Sequence, residues 1–141
     1  MSVPEALNAL TLPLHGMRLI EASAGTGKTF TIAALYLRLV LGHGSCAADI
    51  DPTETATAFA RALSPREILV VTFTRAAVEE LRGRIRKRLQ EASTALRLET
   101  LPQDPILAEL YCYYEKTGQR LLAVRVLQQA AENMDEAAIF T

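Results

Sequence analysis

Cysteine is scarce, with only Cys46 and Cys112, far apart in the chain. Two such residues make neither a disulfide framework nor a zinc ligand set, so both read as reduced thiols of an intracellular protein. Net charge is equally scarce: 15 Lys and Arg oppose 16 Asp and Glu, leaving −1. No global field therefore draws the chain to nucleic acid or to an anionic bilayer, and a charged partner has to be met by a local patch. The opening "MSVPEALNALTLPLHG" carries Glu5 and no basic leader. No apolar run approaches the roughly 20 residues needed to cross a bilayer. These absences predict a soluble, cytoplasmic chain with no membrane partner. What is present is apolar bulk: half of 141 residues, enough for the core of one domain.

The order of elements predicts an α/β fold. Residues 17–22, "MRLIEA", read as a short buried strand running into a glycine-rich turn. Ile32, Leu35, Tyr36, Leu39 and Val40 then recur at helical spacing until Gly42 and Gly44. Residues 43–67 lose periodicity and read as a surface excursion, with a helical turn or two near Thr57 to Leu63. "ILVVTF", residues 68–73, is a continuous β-branched and aromatic run, as in a parallel strand covered on both faces. Val78, Leu81, Ile85, Leu89, Ala92 and Leu96 set the buried stripe of a long helix from Ala76. Asp104 is placed to cap a helix with Pro105 first and Gly118 past its end. That helix carries Ile106, Leu107, Leu110, Tyr111 and Tyr114, and a second follows over about 119–132. "AAIFT" reads as the start of another strand, whereas Asp135 and Glu136, preceded by polar "QQAAENM", read as a helix-end feature. A parallel sheet with right-handed crossovers follows from this order.

"EASAGTGKT" has the spacing of a phosphate-binding loop, Ala22-x-x-x-x-Gly27-Lys28-Thr29, with Ala where Gly is commoner. Ser23, Ala24, Gly25, Thr26 and Gly27 let the backbone wrap round a phosphate with its amides converging on the anion. Lys28 would place an ammonium on the β- and γ-phosphates and Thr29 a hydroxyl on Mg²⁺, with ATP as the cofactor.

The second block, "VVTFTRAAVEELRGRIRKR", holds Arg75, Arg82, Arg84, Arg86, Lys87 and Arg88 against Glu79 and Glu80. Arg75, Arg82 and Arg86 share a helical face away from the apolar stripe. That face suits nucleic acid, and equally an ordinary solvated surface with Glu80 and Arg84 as an i, i+4 pair.

In their order, "EASAGTGKT", the strand end Thr72-Phe73-Thr74 and "ELRGRI" resemble motifs I and Ia of the superfamily 1 DNA helicases of the UvrD/Rep type. Within that group, "RLIEASAGTGKTFTIAALYLRLVLG", "ILVVTFTRAAVEELRGRI" and "MDEAAIFT" look most like the RecB family, the beta subunits of exodeoxyribonuclease V. The resemblance covers nearly the whole chain. It implies a RecA-like P-loop NTPase sheet, incomplete in this chain, with an inserted helical pair. Residues 1–103 would form the N-terminal part of the first motor domain, 104–132 the insertion, and 133–141 the start of the next strand.

The resemblance also implies site residues. Ala22 to Thr29 match the ATP-phosphate loop, and Thr72, Phe73 and Thr74 match the segment that contacts single-stranded DNA. Arg75 stands where an amide or acid is more usual and is free to add a phosphate contact. Phe140 and Thr141 match the opening of the next DNA-contacting motif. The adenine-reading glutamine of many relatives has no counterpart upstream of the loop, where the nearest polar candidate is His15. A Walker B acid is not identifiable either, so the chain alone is expected to bind phosphate without hydrolysing ATP. For the intact protein the resemblance implies ATP-driven unwinding and exonucleolytic processing of duplex ends in double-strand break repair and recombination, with RecC- and RecD-like partners. The reading kept beside it is a small P-loop kinase acting on a small molecule, and a third is a nucleotide-binding adaptor without turnover.

Overall fold

The computed structural model describes residues 9, 10, 12, 14, 16–21, 27–43 and 62–141. Four helices form one layered core: α1 (Lys28–Leu41), α2 (Arg75–Arg97), α3 (Pro105–Lys116) and α4 (Arg120–Glu132). Two short strands, β1 (Val70–Val71) and β2 (Ile139–Phe140), pair in parallel with Val70 opposite Ile139 and Val71 opposite Phe140. The α/β order and the parallel pairing agree with the sequence reading.

Local chemistry explains where the helices begin and end. Thr74 caps α2 by accepting the Ala77 N–H at 3.0 Å, and Asp104 caps α3 by accepting those of Ile106 and Leu107 at 3.0 and 3.1 Å. Helix α1 stops at Gly42, whose left-handed backbone (φ 68°) returns its N–H to the Arg38 carbonyl. A Cβ there would meet the Ala62 backbone nitrogen at 3.1 Å, so both conformation and space demand glycine. All six stripe residues of α2 are buried, and so are Leu107, Leu110, Tyr111 and Tyr114 of α3, with Ile106 partly so. A 3-10 turn at Asn133–Glu136 holds Asp135 and Glu136, the helix-end feature expected there.

Three expectations are corrected. Residues 17–21 form no strand and are exposed, with Met17 97% accessible; the one sheet pairing among the described residues is β1 with β2, and an apolar run with no ladder partner has nothing to hydrogen-bond as a strand. The 68–73 run contracts to two strand residues, and it is covered on one side only: Ile68 is buried while Leu69 and Val71 are exposed. On α1, Ile32 is exposed whereas Leu37 and Arg38 are buried, because the helix packs between α2 and α4 rather than presenting one narrow stripe. The proposed helical turns near Thr57 to Leu63 lie mostly outside the described residues; Ala62 and Leu63 themselves are not helical, and a 3-10 turn occupies Pro65–Glu67.

The helix directions matter for the site. Phe30, in the first turn of α1, lies under the Arg88 guanidinium, 4.1 Å from the ring centroid. Arg88 also reaches Asp104 at the start of α3, while His43, just past α1, packs its ring against Tyr113 and Tyr114 near the end of α3. Helix α1 therefore runs alongside α3 and antiparallel to α2.

Candidate functional site

Ala22, Ser23, Ala24, Gly25 and Thr26 lie outside the described residues, so the phosphate loop is represented by its last three positions. Gly27 takes a left-handed conformation, φ 85° and ψ 30°, at the N-cap of α1. A Cβ there would meet nothing closer than 3.8 Å, so glycine is favoured by backbone strain and not by crowding. Among the described residues no side chain caps the helix start, and no acid lies in its first turn. Lys28 is exposed and Thr29 half-buried. A helix start that lacks a capping side chain and carries a cation fits a polyphosphate. Thr29 would hold Mg²⁺; among the described residues no group of three or more His, Cys, Asp or Glu side chains is placed to bind a metal independently of such a ligand.

A second cluster forms at the end of the sheet. The Thr72 N–H donates to the Phe140 carbonyl at 3.0 Å, which sets Thr72, Phe140 and Thr141 side by side across a long sequence gap. Phe73 is fully exposed and Phe140 57% exposed. The Thr74 hydroxyl accepts the Ala77 N–H and keeps its own proton to donate. Arg75 opens α2, is exposed, and makes no ion pair among the described residues. A guanidinium beside an exposed ring and hydroxyls is chemistry suited to a phosphodiester chain with bases that can stack.

The structure does not bring the two clusters together. Because α1 is antiparallel to α2, Lys28 lies toward Arg88, and Arg88 is roughly 20 Å along the helix from Arg75 at 1.5 Å per residue. The expected basic face is also dismantled. Arg82 donates to the Met134 carbonyl at 2.5 Å, Arg86 pairs with Asp135 at 2.5 Å, and Arg88 pairs with Asp104 and Glu91. Glu80 and Arg84 do form the i, i+4 pair at 3.0 Å. Among the described residues, Arg75 is the one cation of that face that no ion pair or carbonyl engages. The engagement of Arg82 and Arg86 left no signal in the sequence, because acceptors 52 and 49 residues away have no fixed spacing.

Two buried groups carry altered proton affinities. Burial pushes the Tyr36 phenol up to about 12, with the Arg82 charge pulling the other way. Burial lowers Arg38 to about 10; its guanidinium donates to the carbonyls of Ala9 at 2.9 Å and Leu12 at 2.7 Å, tying the N-terminal segment to α1.

Comparison with known proteins gives a consistent answer. The family described as UvrD/REP helicase N-terminal domain matches residues 2–141. The chain is similar to "RecBCD enzyme subunit RecB" of Escherichia coli K12, 51% identical over 99% of this chain and 11% of that protein. It is similar to the proteins of the same name from Haemophilus influenzae, 43% identical over 96% of the chain and 10% of that protein, and from Mycobacterium tuberculosis H37Rv, 34% over 92% and 10%. The chain thus spans about a tenth of the length of these relatives.

Proposed function

Since the chain belongs to the UvrD/REP helicase N-terminal domain family, we propose that it is the ATP-binding opening segment of a RecB-like helicase and exonuclease subunit. Residues 1–103 are assigned to the first motor domain, 104–132 to a helical insertion and 133–141 to the next motor strand. Gly27, Lys28 and Thr29, with Ala22 to Thr26 before them, hold Mg-ATP, and Thr72, Phe73, Thr74, Arg75 and Thr141 meet single-stranded DNA. The observation that carries this reading is the hydrogen bond from Thr72 to Phe140. It joins two segments, each matching a DNA-contacting motif, into one edge where an aromatic ring and an arginine with no ion pair among the described residues face solvent.

In the intact protein the acid for Mg²⁺ and the arginine that stabilises the transition state come from elsewhere in the chain. The relatives' printed name, RecBCD enzyme subunit RecB, supports assembly with RecC- and RecD-like subunits; work on duplex ends during break repair and recombination is part of the same proposal. ATP held with Mg²⁺ at that loop would supply, through its hydrolysis in the intact protein, the free energy of translocation. Lys28 holds charge on the phosphates, and Phe73 and Arg75 grip the strand.

The test uses the intact protein, a Mg-bound fluorescent ATP analogue and an oligothymidylate. Lys28→Ala should abolish nucleotide binding and leave the oligonucleotide affinity within a few-fold of wild type. Phe73→Ala should do the reverse, weakening the oligonucleotide by about 10–100-fold, the effect of losing one stacked base. A wild-type protein that binds neither would overturn the reading.

A further inference from the structure

Strand β2 is too short to fix its own place. Two residues in a parallel pair make few bonds: Val70 N–H to Ala138 carbonyl at 2.9 Å and Thr72 N–H to Phe140 carbonyl at 3.0 Å. A two-stranded ribbon of this size is marginal by itself. A slip of one residue would also turn Ile139, now 2% exposed, outward and bury Phe140 in its place. Something beyond the ladder selects the register.

That something is visible immediately upstream. Three consecutive residues of the 3-10 turn are each gripped by an arginine from another element. Arg82 of α2 donates to the Met134 carbonyl, Arg86, one turn further on, pairs with Asp135, and Arg66 pairs with Glu136. The Met134 side chain is wholly buried, and its carbonyl also accepts the Ala137 N–H at 3.2 Å, so the turn is fixed inside and out. Arg82 is the central arm: half-buried, it bonds a backbone carbonyl, whereas Arg66 and the Asp135 and Glu136 carboxylates are largely solvated. Solvated pairs of that kind contribute little singly, but two of them flanking a half-buried bond restrict the turn to one geometry.

We propose that Arg82, with Arg66 and Arg86 beside it, is a positioning residue that sets the β2 register and thereby presents Phe140 and Thr141 beside Thr72 and Phe73. The inference rests on the reading of that edge as the single-strand contact, but the register it specifies is measurable without DNA.

Arg82→Gln in the intact protein removes the charge and shortens the donor. The expected result has two parts. Hydrogen exchange at the Val70 and Thr72 amides should accelerate at least tenfold, because their acceptors are on the β2 segment. Oligothymidylate affinity should fall at least tenfold while affinity for the ATP analogue stays within twofold, and Arg82→Lys, which keeps a charged donor, should recover most of the loss. Unchanged exchange at both amides overturns the proposal, as does an equal loss of nucleotide and oligonucleotide binding, which marks general loosening. If Arg82→Gln does not fold, Asp135→Asn with Glu136→Gln, which cuts the two solvated arms, decides: exchange at Val70 and Thr72 must still accelerate by at least twofold at low salt, and unaltered rates overturn the clasp. A wild type that fails to bind the oligonucleotide sinks the functional reading, while the amide rates still decide the register.

Discussion

Thr74 serves two ends with one hydroxyl. Its oxygen accepts the Ala77 N–H and so starts α2, while its proton stays free for a phosphate oxygen. Thr74→Ala should therefore lower stability by about 1 kcal/mol, which denaturant unfolding would read as a shifted midpoint with an unchanged slope. Thr74→Ser should restore most of it. At this scale the sequence was informative where chemistry is local: Gly42 ends α1 and Asp104 caps α3, as their residue types suggest. It was uninformative for Arg38. A basic residue inside "LYLRLVLG" gives no hint of full burial, because the carbonyls that receive it belong to Ala9 and Leu12, more than twenty positions upstream. Arg82 is hidden for the same reason, its acceptor lying 52 residues away.

Among the elements, α2 and α3 are joined by an ion pair that doubles as a cap. The Asp104 carboxylate accepts two amides of α3 with one oxygen and Arg88 with the other, at 2.9 Å. Burial pushes its proton affinity up, but the Arg88 hydrogen bond and charge and the Leu107 and Ile106 amides outweigh it, leaving the group below the usual carboxylate range. A carboxylate depressed in the folded state stabilises fully above its unfolded value and loses that contribution as pH falls through the folded one. Asp104→Asn keeps the cap but not the charge. It should cost about 1–2 kcal/mol at neutral pH, with the gap closing as thermal melts are taken below about pH 4; a gap independent of pH would refute the assignment. The helices were legible because a stripe repeating every three or four residues needs no knowledge of the partner. The strands were less so. "MRLIEA" and "ILVVTF" are apolar enough for buried strands, yet a strand exists only where a neighbour takes its hydrogen bonds, and that neighbour is not encoded in the run itself.

Across the whole molecule, the two candidate sites stand apart, joined by the shared core of α1, α2, α3 and α4. Lys28 and Phe73 are expected to fail independently when substituted. Their effects on the protein's two ligands should then add, since side chains at this separation with no common partner seldom interact energetically. A double variant Lys28→Ala with Phe73→Ala that departs from the sum of the single effects on stability by more than about 0.5 kcal/mol would show that the sites communicate already in the unliganded state. Motif order in the sequence nominated both clusters, but it carried nothing of their separation, which depends on the direction in which α1 crosses α2.

The pairing of β1 with β2 has a kinetic corollary. Arg66 and Glu136, which flank that pairing, are 70 residues apart in the chain, so the sheet closes a long loop whose entropy must be offset by helices already in place. Substitutions at Ile139 should accordingly speed unfolding and leave the refolding rate nearly untouched, whereas those at Leu89 or Leu127 should slow refolding. Until that late closure, Ile68 and Ile139, both buried once the sheet has formed, are bare on the nascent polypeptide, and it is there that a chaperone, or an aggregate, would first take hold.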